Sequence, residues 1–527
     1  MNVLKKHWLL LVIIIVGVLL RFYNNTTISL WHDEAFSALY IKYPWAEMMH
    51  RIGLDVHPPL YYIALRFWHY IFGDSLLALR SFSVVTGAAI IPIAYAFVKR
   101  AFHNHRAALF VALLTAISPF QLEYVTEVRM YTFGALLAVL AAYFLVRSLQ
   151  TEQEYIESFD QKIPNLPERK TFRNKIILFY ILFALFTSAM MYTHYYLFFT
   201  AAALGLYGLL YHVFKHKKVL RNYRYLIGSF IVIGLLYVPW LKTFAYQFSQ
   251  VSQSFWIPKM DKWSIPTTVW EMFLGFNIDI NNSTTQIYVL LALLFTIFFL
   301  IRFLQRTQEK AKWLVVLTLV APFAGAILFA LLGKLRGQDS SVFLVRYFLF
   351  ASVFYTIAIG VWLAEFKHRT FAALLLTIYA IANLAAFHQY WKGLDTENRQ
   401  GMAAASAYLN RQVEPDDKLY VGSSFEFFNL KYYNRAPVAP LLYSGGNRDI
   451  KNLPHFAGTA ILTNDDLLPD FSEATTTNDT VWLLWTNGFG GSQPEVPTNW
   501  EQVDEKGFAE VRPYVGTWII VTKYVVK

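Results

Sequence analysis

The sequence predicts an all-α polytopic membrane protein of about eleven transmembrane helices, within a range of roughly ten to thirteen, followed by a small extracytoplasmic α/β domain. Three observations carry this reading. Of 527 residues, 56% are hydrophobic and only 15% charged, whereas a soluble domain of this size would carry a charged share of about a quarter. Apolar runs long enough to cross a bilayer recur until about residue 391. The connections between them are alternately basic and nearly free of Lys and Arg, as membrane topology requires.

The runs fall near 8–22, 76–98, 107–121, 130–147, 176–193, 196–214, 225–241, 286–304, 313–332, 344–364 and 371–391. The first follows Lys5 and Lys6 and imitates a signal peptide. Arg21 and an aromatic pair stand where a small-residue cleavage site would be, so an uncleaved first helix is expected. The stretch from Ala107 to Val146 is too long for one ordinary crossing and is interrupted by Glu123, Glu127 and Arg129. A charge in hydrocarbon is costly, so two helices joined by a short turn are expected there.

With the N-terminus in the cytoplasm, the cytoplasmic connections hold Lys99, Arg100 and Arg106, then Arg147 through Lys175, then Lys215, Lys217, Lys218, Arg221 and Arg224. Arg302, Arg306, Lys310 and Lys312 follow, and then Lys367 and Arg369. An even number of crossings would break this alternation, so the C-terminal segment is expected outside the plasma membrane. The net charge of +11 is accounted for by these loops. No soluble basic domain with a nucleic-acid-reading motif is present, which excludes that partner class. The absence of cysteine excludes disulfides, thiolate metal sites and cysteine nucleophiles.

Two regions outside the bilayer are large. The loop 22–75 contains Pro58-Pro59 followed by Leu60, Ile63, Ala64, Phe67 and Ile71 at helical spacing, with Arg66 and His69 on another face. This pattern predicts a helix lying in the membrane interface. The tail 392–527 has soluble composition: a helix-like stretch at Gly401–Leu409, then apolar runs at Lys418–Val421, Thr459–Leu462, Val481–Trp485 and Thr517–Val525. The last two are β-branched and aromatic, as strands are. The domains expected are thus 1–391 and 392–527.

The unusual polar residues fall on the outer side. Asp33 and Glu34 follow the first span, and Asp55 and His57 precede Pro58. Glu123, Glu127, Arg129 and Tyr131 lie at the turn between spans three and four, His194 between spans five and six, and Arg346 at the start of span ten. Each has an ordinary explanation: adjacent acids are commonly a solvated loop, histidines bond at interfaces, and arginines snorkel. Membrane anchoring alone does not ask for so many acids on one side, so convergence marks a site. The acid pair Asp33 and Glu34 would supply a general base for an acceptor hydroxyl. Arg129 and Arg346 suit phosphate oxygens. The aromatic surroundings would admit a lipid chain. Base, phosphate clamp and lipid groove together describe transfer of a group from a lipid phosphate.

Trp31-His32-Asp33-Glu34-Ala35-Phe36-Ser37 resembles the Asp-Glu motif after the first helix of GT-C glycosyltransferases. Asp55-Val56-His57-Pro58-Pro59-Leu60-Tyr61-Tyr62 is similar to their D-x-H-P-P-L-Y-Y segment, and Glu123 through Tyr131 to their Y-x-x-E-x-R-x-Y signature. Tyr192-Thr193-His194-Tyr195-Tyr196 and Val345-Arg346-Tyr347 match further landmarks in the right order. The resemblance, over residues 8–390, is to bacterial glycosyltransferase family 39-like proteins, relatives of protein O-mannosyltransferases and lipid A aminoarabinose transferases. It implies a GT-C-like catalytic domain, a polyprenyl-phosphate sugar donor and a hydroxyl acceptor on lipid, glycan or protein. It also implies transfer with inversion on the outer face of a bacterial plasma membrane. Asp33 would be the base and Arg129 and Arg346 would bind the donor phosphate. Asp55, His57, Glu127, Tyr131 and His194 would orient substrate. The aminoarabinose relatives carry a glutamate and a lysine where this chain has Val56 and His57. A divalent ion is a candidate cofactor, with Asp55, His57 and His194 as its candidate ligands.

Three rival classes share some of these features. A lipid-linked-sugar transporter or flippase would place its polar residues near the midplane in two related halves, and here they gather at one face. A noncatalytic scaffold would leave the acid–histidine–arginine set unexplained. An oligosaccharyltransferase or glycan ligase, using a pyrophosphate lipid, would ask for a larger basic site.

Overall fold

A computed structural model of the chain describes residues 2–160, 166–215, 223–253, 257–275, 279–337, 341–473, 475–488, 491–511 and 516–527. Lys217, Lys218 and Arg221 of the basic connections lie outside these. Among the described residues nine helices are long and apolar enough to cross a membrane, and two shorter apolar ones, His7–Phe22 and His105–Ile117, occupy the remaining expected positions. The protein is therefore a multi-pass membrane protein with a C-terminal mixed α/β domain.

The chain opens with α1 (Asn2–Phe22) and three short helices, α2 (His32–Tyr40), α3 (Trp45–Leu54) and α4 (Leu60–Phe72). Four helices follow: α5 (Leu76–Ala101), α6 (His105–Ile117), α7 (Pro119–Tyr124) and α8 (Tyr131–Asp160). The expected span 107–121 is thus cut at Ser118, where Pro119 takes the first turn of a new helix that needs no N–H from it. The break leaves carbonyls at the end of α6 without intrahelical partners. Arg21, buried in α1, supplies them: its Nη1 donates to Ala116 O at 2.9 Å and its Nη2 to Thr115 O at 2.9 Å. A third bond runs from Nη1 to Gly17 O.

The remaining membrane helices are α9 (Leu166–Met191), α10 (Leu197–Lys215), α11 (Arg224–Tyr237), α12 (Leu241–Gln253), α14 (Ser283–Arg306), α15 (Ala311–Leu335), α16 (Leu349–Ala364) and α17 (Arg369–Leu394). The expected span 225–241 does not stop there. The chain turns through Val238–Trp240, around Pro239, and continues as α12. A short helix α13 (Ser264–Leu274) lies between α12 and α14. Helix α16 is buried on every side, as a helix apolar all round must be. Gly360 lets it press on α6: a Cβ there would lie 2.5 Å from Val111 Cγ2 and 3.0 Å from its backbone N. Helices α14 and α17 instead expose Leu291, Leu294, Phe298, Leu374, Ile378 and Ile381, a surface that only lipid can cover.

Helix α4 has the expected interfacial character with a different partition of its faces. Tyr61, Tyr62, Leu65 and Arg66 are buried against the protein, while Phe67, Tyr70, Ile71 and Phe72 are exposed. Arg66 therefore does not sit on a solvated face; its Nε donates to Tyr70 Oη and its Nη1 to Tyr43 O.

The C-terminal domain builds α18 (Gly401–Gln412), α19 (Ser424–Tyr433) and six strands: β1 (Lys418–Val421), β2 (Leu441–Tyr443), β3 (Leu467–Leu468), β4 (Thr480–Thr486), β5 (Trp500–Ala509) and β6 (Trp518–Val526). Their order is β3-β2-β1-β4-β6-β5, parallel from β3 to β4 and antiparallel from β4 to β5. Central β4 reads Val-Trp-Leu-Leu-Trp because both faces are covered. Val481 and Leu483 pack with Tyr420, Phe471 and Trp500 on one face. Trp482 and Leu484 join the main core on the other. The expected strands at 481–485 and 517–525 are present, the apolar run 418–421 forms β1, and Thr459–Leu462 is a buried turn.

This domain is clamped onto the loop 22–75. Leu30 N donates to Tyr433 Oη at 2.9 Å, and Tyr432 Oη to Asp74 O at 2.8 Å. Arg51 Nη1 donates to Ala460 O and Ile461 O at 3.1 and 2.9 Å. The tail thus lies on the same side of the membrane helices as the loop after α1, as an odd number of crossings requires.

Inside the tail, Glu426 and Glu510 are buried close enough to disfavour each other's ionisation. Burial first, and for Glu510 the neighbouring Glu426 second, hold both carboxyls above the usual range. The folded chain therefore keeps protons that the unfolded chain loses near its ordinary pKa of 4.5. The stability these protons confer is complete below that value and declines as pH rises through the raised folded values. Glu510→Gln is expected to raise the thermal unfolding temperature in detergent, and to raise it more at pH 8 than at pH 5. Equal shifts at the two pH values would remove the linkage.

Candidate active site

Helix α2 begins with Asp33 and Glu34 in its first turn, where the unpaired N–H groups favour acids. Adjacent positions on a helix point about 100° apart, and these two acids diverge accordingly. Glu34 is fully buried and forms a two-pronged pair with Arg80 of α5, at 3.0 Å (Oε1 to Nε) and 2.8 Å (Oε2 to Nη2). Its Oε1 also accepts from Val128 N at 2.8 Å. Arg80 completes its bonds on the chain after α1, with Nη1 donating to Asn25 O and Ile28 O at 2.7 Å each. Glu34 is thus part of a buried frame, whereas Asp33 looks into the space the frame encloses.

Asp33 keeps one fifth of its side-chain surface open (21%) and faces two guanidiniums. Arg346, in the short 3₁₀ turn Val345–Phe348 before α16, has Nη1 at 3.2 Å from Asp33 Oδ2. Arg129, in the turn between α7 and α8, has Nη2 at 3.9 Å from the same oxygen. Burial opposes ionisation of Asp33, but Arg129 and Arg346, with His32 and His57, outweigh it and hold the carboxyl below its usual range. Arg129 is only 4% exposed and is positioned by further bonds to Asp33 O at 3.2 Å and Ser37 Oγ at 3.4 Å. Arg346 lies over the Trp31 ring, 5.1 Å from its centroid. The turn carrying Arg129 is pinned to α5 by Ser83 Oγ, which donates to Glu127 O at 2.6 Å.

The loop between α3 and α4 adds Asp55 and His57. Arg129 has donors only, so the 3.2 Å contact of its Nη2 makes His57 Nε2 an acceptor. The ring hydrogen then sits on Nδ1 and is donated to Asp55 Oδ2 at 3.2 Å. His194, in the turn between α9 and α10, accepts at Nδ1 from Tyr196 N at 3.1 Å. Burial, and then the neighbouring His57, Arg129 and Arg346, keep its pKa well below the ordinary value, so it is neutral and carries its hydrogen on Nε2. Among the described residues that buried Nε2 has no hydrogen-bond partner. The His194 ring is 5.9 Å from that of His57, 6.1 Å from Tyr131 and 4.6 Å from Tyr347. Glu127, buried in the turn before Arg129, acts electrostatically on Arg346.

Seven of the expected residues therefore meet around one space: Asp33, Asp55, His57, Arg129, Tyr131, His194 and Arg346. Glu127 borders it and Glu34 stands behind it. The donor set fits a bound divalent ion poorly. Among the described residues no three Asp, Glu or His side chains gather as a cation site. Asp55 and His57 are committed to each other, and the second nitrogen of His57 faces a guanidinium.

Two contributors were not expected. Arg80 lies inside an apolar span, and an ionisable residue at such a position is itself a signal of function or framework. Gln247 of α12 fixes the His57 loop, its Nε2 donating to Ile52 O at 2.7 Å and to His57 O at 3.4 Å; nothing in its local sequence marks it.

Residues 56–157 match the family model described as dolichyl-phosphate-mannose-protein mannosyltransferase. The fold is similar to that of ArnT from Cupriavidus metallidurans in the apo state, with a TM-score of 0.62 and 13% identity over 98% of both chains. The structure of that protein bound to undecaprenyl phosphate matches with a TM-score of 0.57, again at 13% identity over 98% of both chains. The apo oligosaccharyltransferase of Archaeoglobus fulgidus matches with a TM-score of 0.49 at 13% identity, over 91% of this chain and 70% of that one. No curated protein matches by sequence. The chain has the GT-C fold.

The Glu34–Arg80 frame can be tested by its asymmetry. Removing one partner strands a buried charge, so Arg80→Met or Glu34→Leu alone is expected to cost about 3–5 kcal/mol. The double variant Glu34→Leu/Arg80→Met should be less damaging than the sum, read as unfolding temperature and yield of monodisperse protein. Additive losses would show that the two side chains act independently.

Proposed function

We propose that this protein is a membrane glycosyltransferase that moves a sugar from a polyprenyl-phosphate donor to an acceptor hydroxyl, with inversion at the anomeric carbon. The reaction takes place at the outer face of the plasma membrane and serves a cell-envelope glycan, a glycolipid or a protein. The observation that carries this reading is the Asp33 carboxylate held between Arg129 and Arg346 on a GT-C scaffold. The alternation of basic loops supports a cytoplasmic N-terminus, with residues 1–391 as the catalytic domain and 392–527 outside. The undecaprenyl phosphate held by the ArnT structure supports a lipid phosphate donor.

The geometry gives each group a task. The acceptor oxygen attacks the anomeric carbon while the bond to the phosphate oxygen breaks, and the polyprenyl phosphate leaves with the electron pair. Asp33 takes the acceptor's proton, and Arg129 and Arg346 stabilise charge growing on the leaving phosphate. The resting contacts link these roles. Two guanidiniums keep Asp33 ionised but weakly basic. A donor phosphate competes for the same guanidiniums, and as they turn to it the carboxylate becomes a stronger base. His194 Nε2 and Tyr131 are placed to bond the sugar or phosphate, and Asp55 holds His57 in one tautomer. Glu127 orients by its charge on Arg346. Glu34 serves as the frame that holds α2.

Incubation of the purified protein with labelled polyprenyl-phosphate sugars is expected to release polyprenyl phosphate. Asp33→Asn should lower kcat by about 10²–10⁴-fold while leaving the protein folded and inserted. Near-normal turnover in that variant would remove Asp33 as the base.

A pH series gives an independent check. Arg346→Gln withdraws a cation from Asp33, so the acid limb of kcat/KM, which reports the free enzyme, should move to higher pH. A limb that stays in place would mean that another group controls it.

A further inference from the structure

An open groove of about 460 Å³ runs between α3 and the segment 449–465 of the C-terminal domain. His50 and Leu54 of α3 form one wall, and Asp449, Lys451, Asn464 and Asp465 belong to the other. None of its lining residues belongs to a helix long and apolar enough to cross a membrane. Arg51 holds the two walls together. Its Nη1 bonds to Ala460 O and Ile461 O, its Nε bonds to Glu47 at 2.9 Å, and its plane lies over Tyr43.

One residue of its lining adjoins the candidate site. Leu54 is followed directly by Asp55. His455, in the turn His455–Ala457, comes from the C-terminal domain and lies within electrostatic reach of both Asp55 and His57. From there a run of polar contacts reaches the base: Asp55 to His57 at 3.2 Å, His57 to Arg129 at 3.2 Å, and Arg129 to Asp33 at 3.9 Å.

Its chemistry separates it from the donor side. Asp449 and Asp465 offset Lys451, and Arg51 is matched by Glu47, so no positive field awaits a phosphate-bearing head group. The lining instead offers the amide of Asn464 and the hydroxyls of Thr459 and Thr463 beside the apolar Ile450, Ala460 and Leu462. Vicinal hydroxyls, which donate and accept at neighbouring atoms, complement such a lining. The volume lies within the range of small-molecule clefts.

We propose that this groove seats the acceptor, that the acceptor is a neutral polyhydroxylated chain (a glycan), and that His455 binds it beside Asp55 and His57. The assignment rests on the transferase reading given above. Donor and acceptor then arrive by different routes: the lipid phosphate from the bilayer, and the glycan from water along the C-terminal domain. The domain is thereby part of the acceptor site and not an appendage.

The test uses labelled full-length protein in lipid nanodiscs on an array of neutral tri- to hexasaccharides. A subset should be retained, and both His455→Ala and the surface change Asp465→Lys should weaken that retention by about tenfold, while affinity for polyprenyl phosphate stays within about twofold. No retained neutral glycan, retention indifferent to both variants, or retention only of phosphorylated glycans would each overturn the assignment. Release of polyprenyl phosphate from the labelled donor is scored in parallel. Release without glycan retention removes the acceptor assignment alone; no release removes the transferase reading beneath it.

Discussion

The ion pair of Glu34 and Arg80 is the constraint from which the site follows. Both side chains are fully buried, and taking two charges out of water costs several kilocalories per mole each, as about 3–5 kcal/mol or more of net loss whenever one is left alone. Only a fork-to-fork pair with further hydrogen bonds offsets that cost. Arg80 therefore draws in the carbonyls of Asn25 and Ile28, and Glu34 draws in the amide of Val128. Three stretches of chain, after α1, along α5 and before α8, become one rigid object. Asp33 and Arg129 are each the immediate sequence neighbour of a residue in that object. Their mutual distance is thus fixed by groups buried behind the candidate site.

A second layer of the same design uses turns rather than helices. Arg129, His194 and Arg346 lie in turns at the ends of membrane helices, and His57 in the turn between the short helices α3 and α4. Charged side chains are tolerated there, and the turns hold them by local bonds such as Tyr196 N to His194 Nδ1. The membrane helices set the lateral spacing of these turns, with buried α16 as the centre post. Across this surface the C-terminal domain continues the core, so that Phe36 of α2 packs on Phe428 of α19.

Much of this was legible in the sequence because hydropathy and loop charge are both dictated by the bilayer. All eleven apolar runs became helices, and seven of the residues expected to converge meet around one space from five distant segments. The divisions within that cluster were hidden. Asp33 and Glu34 are adjacent and chemically alike, and only the position of Arg80 separates the acid that faces the candidate site from the one buried behind it. Arg80 itself was masked by the apolar average of its span. Strand β5 escaped notice because Glu501, Asp504, Glu505 and Lys506 line an edge strand with no apolar alternation. Thr459–Leu462 has strand-like composition, yet it is buried as a turn against α3, a pairing that no local pattern encodes. His455 lies some 400 residues from Asp55, and local reading has no reach over such separations.

Arg21 carries a consequence for how the protein is made. The chain emerges from its N-terminus, so the first helix is complete long before Thr115 and Ala116, the residues that accept from its guanidinium, have been synthesised. During that interval Gly17 O of its own helix is the one of these acceptors already made, and the charge stays at the aqueous boundary, as long basic side chains do. The first helix is consequently a provisional tenant of the bilayer. Its final depth and rotation are settled only when the third apolar run arrives, and assembly order is written into a single buried side chain.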